Sequence, residues 1–234
     1  LVVTGQVQSE TIITFKTTNG KNNTDFQGDT FIARSEQLTS GYVNMHGASI
    51  KNLVVGNSTG NNISNILLQN GTITGTVIAC NIYFKDVNFS ENAKINAKKS
   101  KSNAGGDVEI ESTSNTPIVY TGTIFAQGNL KFTNVAYYAR KDSVDYNSMI
   151  RVYGNMQVTG KSTIAGEVFV GDEIKNVGNL TIDKNVSLVQ PISDSSRDRT
   201  VVYVYGNLIS TAATTTNTNV VRDSSFIFYV GGNV

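Results

Sequence analysis

Residues 154–189 read GNMQVT GKSTIA GEVFVG DEIKNV GNLTID KNVSLV, six consecutive hexads. Apolar residues fall mostly at the third and fifth place of each: Met156 and Val158, Ile164, Val168 and Val170, Ile174, Leu180 and Ile182, Val186 and Leu188. Ser162 and Asn176 break the rule, and both are small enough to join a polar ladder. Alternation of period two marks a strand with one buried face. A bend every six residues limits each strand to one short pass. The segments GDVEIE, TPIVYT, GTIFAQ and GNLKFT carry the same pattern upstream. Repeated short strands with regular bends are the grammar of a β-solenoid.

A longer period overlies the hexads. Gly-Asn recurs at Gly128-Asn129, Gly154-Asn155, Gly178-Asn179, Gly206-Asn207 and Gly232-Asn233, at steps of 26, 24, 28 and 26 residues. Four residues before each glycine stand Ile124, Ile150, Ile174, Val202 and Phe228; two after it stand Leu130, Met156, Leu180, Leu208 and Val234. Three hexads would give a triangular coil of 18 residues, and four about 24–26; the Gly-Asn interval favours the larger coil. Polar runs at 140–147 and 190–199 read as loops leaving a coil corner. The expected fold is all-β: a single-stranded parallel β-helix over residues 1–234, with repeated coils from 51 to 234 and a less regular part over 1–50. Within that part FIARSEQLTSGYVNM could hold a short capping helix, since the open end of a β-helix is an unpaired edge. The chain starts at Leu1 and stops within a repeat unit, as a piece of a longer protein would.

Composition narrows the function. Net charge is +1 and charged residues are 16%, so nothing favours nucleic acid or an anionic membrane. No stretch reaches the ~18–20 apolar residues that span a bilayer. Cys80, inside VIACNIYF, reads as a buried small hydrophobe, and His46 as structural. Lys94, Lys98, Lys99 and Lys101 read as a solvated loop. The N-x-S/T sequons at Asn22, Asn57, Asn62, Asn70, Asn88, Asn179 and Asn185 are close to chance in so Asn-rich a chain. No nucleophile elbow, zinc motif, phosphate loop or dinucleotide fingerprint occurs. Asp172, Glu173 and Asp183, near Lys175 and Lys184, are the nearest approach to an acidic site. Asp142, Asp145, Asp194 and Asp198 fall in the polar runs. No metal site and no cofactor is expected.

Two residue sets stand out. Asn129, Asn155, Asn179, Asn207 and Asn233 are placed to stack as a structural ladder of amides, each donating to the next. Phe125, Tyr203 and Tyr229 would share one outward column, interrupted by Arg151 and Lys175, and Tyr153 and Tyr205 the next. Tyr137 and Tyr138 lie beside the 140–147 loop. Aromatic faces on a rigid sheet can stack on sugar rings. These seven are the candidate ligand-binding face.

The hexads from Gly154 to Leu188 resemble those of bactofilins, polymer-forming β-solenoid proteins. The irregular, loop-bearing, Asn/Thr-rich coil with outward tyrosines is similar to the β-helical domain of tāpirins. That resemblance implies a non-catalytic adhesin, extracellular and at the cell surface, binding insoluble plant polysaccharide, cellulose first. The partners expected are thus a polysaccharide, with no nucleic acid and no membrane contact by this segment. The bactofilin-like hexads imply the alternative, a structural or filament protein that self-associates. A polysaccharide lyase or hydrolase ranks third.

Overall fold

A computed structural model describes residues 2–3, 7–9, 13–15, 24–34, 42–55, 65–100, 102–143, 146–189, 200–211 and 226–234. Among these the protein is all-β. Parallel strands make up three sheets, an arrangement consistent with a β-helix. Among the described residues the one antiparallel strand pair, Lys141–Ser143 with Tyr146–Asn147, lies in the predicted 140–147 loop.

One turn of the chain shows the plan. Met149–Val152 lies in the first sheet, Met156–Thr159 in the second and Thr163–Ala165 in the third. Glu167–Val170 then returns to the first sheet beside Met149–Val152. In this stretch each hexad supplies one strand and one bend. Ile150 pairs with Val168 and Val77 with Ile95, 18 positions on; Ile66 pairs with Ile82, 16 on. Longer steps hold insertions. The 26 positions from Ile124 to Ile150 contain the antiparallel pair, and the 34 from Val168 to Val202 contain two extra stretches. Along the second sheet the steps from Leu130 to Met156, Met156 to Leu180 and Leu180 to Leu208 are 26, 24 and 28 positions, near the expected 24–26. From Leu130 to Leu180 that length is reached by three strands and an insertion, not by four hexads each giving a strand.

Alternation sends one residue in two inward. Val77, Ile95, Ile124, Ile150, Val168 and Val202 stack in register along the first sheet. Ile82, Val108, Leu130, Met156 and Leu180 do so along the second. Tyr120, Tyr137, Ile164 and Leu188 form the inward column of the third. All belong to one hydrophobic cluster. Burying each such side chain is worth about 1.5–3 kcal/mol. Ser162, at an inward place, is satisfied: it accepts from Val135 N at 3.0 Å and donates to Thr159 O at 2.6 Å.

Three further expectations change. Residues 31–34 belong to the strand Thr24–Arg34 and 42–46 form the strand Tyr42–His46, so the proposed capping helix is replaced by strand at both ends; 35–41 lie outside the described residues. Lys94 begins the strand Lys94–Ala97 instead of a loop. DEIKNV matches the hexad pattern yet forms no strand of a sheet. It is looped out, with Ile174 93% exposed and a single antiparallel bridge between Asp172 and Val177. The 190–199 run lies outside the described residues.

Candidate functional site

The corner between the first and second sheets organises the surface. Here Asn155 N donates to Asn129 Oδ1 at 2.9 Å, Asn179 N to Asn155 Oδ1 at 2.8 Å, Asn207 N to Asn179 Oδ1 at 2.9 Å and Asn233 N to Asn207 Oδ1 at 2.9 Å. The ladder is built from side-chain oxygen to main-chain nitrogen, not from amide to amide as the sequence suggested. A side-chain carbonyl reaches the next backbone N–H and spares it from desolvation without a partner. The ladder also extends upstream, where Gly-Asn is lost: Asn129 N donates to Asp107 Oδ1, Asp107 N to Asn81 Oδ1 and Asn81 N to Asn65 Oδ1. An Asx oxygen is enough for this role, so Asp107 substitutes for Asn.

The aromatic residues divide between two environments. In register along the first sheet, Asn96, Phe125, Arg151, Phe169, Tyr203 and Tyr229 face outward in one column. Lys175 is not in it, because DEIKNV is looped out, and Phe169 takes that rung. Phe169 and Tyr203 stack at 4.8 Å with planes 1° apart, and Tyr203 and Tyr229 at 4.8 Å and 9°. Rings stacked at the strand spacing cover each other's faces and turn their edges to solvent. Tyr153 and Tyr205 flank this column. Gly171 stands at the rung between them, and the Arg151 guanidinium lies 4.7 Å from the Tyr153 ring centroid, 5.4 Å from Tyr205 and 5.6 Å from Phe169. Such cation–π contacts hold a cation over rings where no side chain intervenes.

Tyr137 is not on this face. It points into the core, fully buried, and stacks on Tyr120 at 6.1 Å. Tyr138 belongs to the third sheet and is half-buried. Both are corrections: the double tyrosine follows Val135 and Ala136, and the strand register, not the nearby loop, decides which ring turns inward.

A groove of about 620 Å³ opens at the Asn corner. Its floor is Gln127, Gly128, Asn129, Tyr153 and Gly154. One wall is the insertion carrying Lys99, Asn103 and Gly105; the other is the looped-out segment with Asp172, Lys175 and Val177. Both walls are pinned. Lys99 N donates to Gln127 Oε1 at 2.7 Å, and Lys99 bridges to Gly105. Asp172 Oδ1 accepts from Ile174 N at 3.0 Å and Lys175 N at 3.3 Å, while Lys175 Nζ lies 3.4 Å from Asp172 Oδ2. Desolvation pulls the Asp172 carboxyl upward, but the backbone N–H groups of Lys175 and Ile174, with the Lys175 ammonium, outweigh it and hold it below its ordinary value. The sequence showed one wall as a solvated lysine loop and the other, DEIKNV, as a hexad of the repeat. Nothing local says that they leave the same corner.

A second depression, of about 390 Å³, lies on the second sheet around Leu67 and Tyr83, edged by Lys85, Glu109 and Glu111. Burial first, then the carboxylates of Asp107 and Glu109 and the Cys80 thiol, push the Tyr83 phenol above its ordinary value. The remaining sequence candidates are dispersed. Asp183 accepts from Lys184 N, Glu173 is exposed, and His46 Nε2 meets Asn70 Nδ2 at 3.1 Å. Cys80 is buried, its Sγ 3.6 Å from Ala104 O. The side chains of Asp142, Asp145, Asp194 and Asp198 lie outside the described residues. Among the described residues no group of three His, Cys, Asp or Glu side chains is placed to hold a metal ion, and no helix is long and apolar enough to cross a membrane. No protein family, curated protein or solved structure matches this chain.

Proposed function

We propose that the chain winds as a closed, three-sided parallel β-helix and serves as a non-catalytic, extracellular cell-surface adhesin for insoluble polysaccharide, with cellulose the first candidate. One observation carries the reading. Phe125 and Tyr153, 40% and 47% exposed, stand on a rigid parallel sheet outside the stacked ladder, with the amide-floored groove beside Tyr153. The Arg151 guanidinium lies over one face of Tyr153; a ring face left open can pack on the apolar face of a sugar, and amides can meet its hydroxyls. Weak contacts repeated on a polymer add up through avidity.

The test is retention of the purified chain on crystalline cellulose, xylan and chitin, alongside the Phe125→Ala/Tyr153→Ala double variant. Retention on one polymer that falls in the double variant supports the adhesin. Retention by neither protein on any polymer sinks it.

A second reading, a self-associating surface filament, is favoured by the Phe169–Tyr203–Tyr229 ladder, which packs aromatic faces instead of presenting them. Continuous parallel sheets also offer edges for pairing between copies. Sedimentation over a hundredfold range of concentration separates the two: mass that grows with concentration favours the filament.

A further inference from the structure

We infer that the corner groove between the two insertions is a subsite for a single chain of neutral oligosaccharide, lying along the strand direction. The inference rests on the polysaccharide reading and gives it a place and a ligand class.

The groove's direction follows from its walls. One insertion precedes Asp107 and the other precedes Asn179, three rungs apart on the ladder through Asn129 and Asn155. At the strand spacing that is about 14 Å between wall centres. The walls succeed one another along the stacking direction, so the cleft between them runs parallel to the strands, from Tyr153 on the first sheet around the corner to Asn129. Two intervening rungs have tight Gly-Asn bends, which keep the floor low. Its volume, about 620 Å³, falls in the usual range of small-ligand sites.

The chemistry selects the ligand class. Lys99 and Lys175 are matched in number by Asp107 and Asp172, so the fixed charges of the groove sum to zero. Asp107 is already engaged, accepting from Asn129 N at 2.7 Å and Asn129 Nδ2 at 3.0 Å, and Asp172 is engaged by Lys175. What remains for a ligand is mainly amide and hydroxyl: Asn103, the Tyr153 phenol, the Gln127 NH2, whose partner oxygen is taken by Lys99 N, and the second N–H and lone pair of the Asn129 amide, whose first are taken by Asp107 and Asn155 N. An amide donates and accepts at once, as a sugar hydroxyl does. The Tyr153 ring adds an apolar patch at one end. The Lys99 wall is tied to Gln127 of the floor and the Asp172 wall is closed on itself by Asp172 with Ile174, Lys175 and Val177, so little ordering cost falls on binding.

The experiment titrates the full chain with cellohexaose, xylohexaose, chitohexaose and, as an acidic comparator, hexagalacturonate. Calorimetry gives affinity and amide shifts give location. The expected result is binding of a neutral hexasaccharide with shifts at Gln127, Asn129 and Val177. Tyr153→Ala should weaken it about tenfold, a loss of ring stacking plus one hydrogen bond. Tyr153→Phe keeps the ring and should stay within about threefold, which separates stacking from misfolding; Lys99→Gln should also stay within about threefold for an uncharged ligand. Tyr229→Ala, on the ladder, should have no effect. Unchanged affinity in Tyr153→Ala, or a preference for hexagalacturonate, overturns the inference. Retention on an insoluble polymer with no hexasaccharide bound overturns the subsite and leaves the adhesin. Failure to bind either removes both.

Discussion

Asn129 Oδ1 accepts the backbone N–H of Asn155 at 2.9 Å, and in doing so it occupies the space above the preceding residue, Gly154. A Cβ built on Gly154 would lie 2.6 Å from that oxygen and 2.6 Å from Gly128 O. The same clash recurs at Gly206 with Asn179 Oδ1 and at Gly232 with Asn207 Oδ1. At these three rungs glycine and asparagine travel as a pair because the Asn side chain below fills the place of the missing Cβ; at Gly178 the close atoms are instead Gly171 Cα and Gly154 O.

Gly154→Ala should destabilise the protein by about 1–3 kcal/mol through overpacking. Asn129→Ala should relieve only part of this, since the Gly128 carbonyl remains. Denaturant midpoints of the two single variants and the double variant provide the check. Full rescue in the double variant would show that the backbone contact is not a constraint.

Asn155→Ala removes the acceptor for Asn179 N at an exposed corner, and should cost about 1 kcal/mol. Hydrogen exchange should quicken at Asn179 and stay unchanged at Asn207, whose acceptor is Asn179 itself. Equal acceleration at both would mean the rungs open together.

Ile174, third in DEIKNV, and Ile182, fifth in the next hexad, both fall on apolar places of the repeat but lie in opposite environments, 93% and 2% exposed. Ile174→Ala should change stability by less than about 0.5 kcal/mol. Ile182→Ala should cost about 2–5 kcal/mol. Similar losses at the two sites would contradict the looped-out path of DEIKNV.

Tyr203 stacks on Phe169 and on Tyr229. Tyr203→Ala breaks both stacks, each worth about 0.5–1.5 kcal/mol, and a calorimetric melt should fall accordingly. Tyr203→Phe should melt close to the parent.

The groove wall at Asp172 should respond to acid. Its folded value lies below the ordinary 3.8, so the stabilisation it lends the loop is present above that pH and is lost as pH falls through the folded value. Amide resonances of Ile174 and Lys175 should shift below pH about 4, and Asp172→Asn should abolish the transition. A transition that persists in Asp172→Asn would assign it elsewhere.

Much of the fold was legible because its signals are local. A period of two in Met156–Thr159 or Leu130–Thr133 states which side chains face inward, whatever the strand pairs with. The ladder residues could be picked out for the same reason. Its upstream members, Asn65, Asn81 and Asp107, carry no Gly-Asn pair: Asn65 follows Ser64, Asn81 follows Cys80, and Gly106 is followed by Asp107; an Asx residue at the start of an alternating strand was the available signal.

The amino-acid order by itself determined most of the strands, bends and inward residues from 124 onward, Tyr137 and Ile174 excepted, since alternation and turn chemistry act over a few neighbours. Only tertiary structure decided which strands stack. DEIKNV has the length and pattern of a rung, but Gly171 and Gly178, with φ of 101° and 108°, close on each other at its base. The chain then skips a rung's worth of residues, which removes Lys175 from the aromatic column and puts Phe169 there. The groove arises in the same way: its two walls are far apart in sequence, and only the stacking of three-stranded turns brings both to one corner.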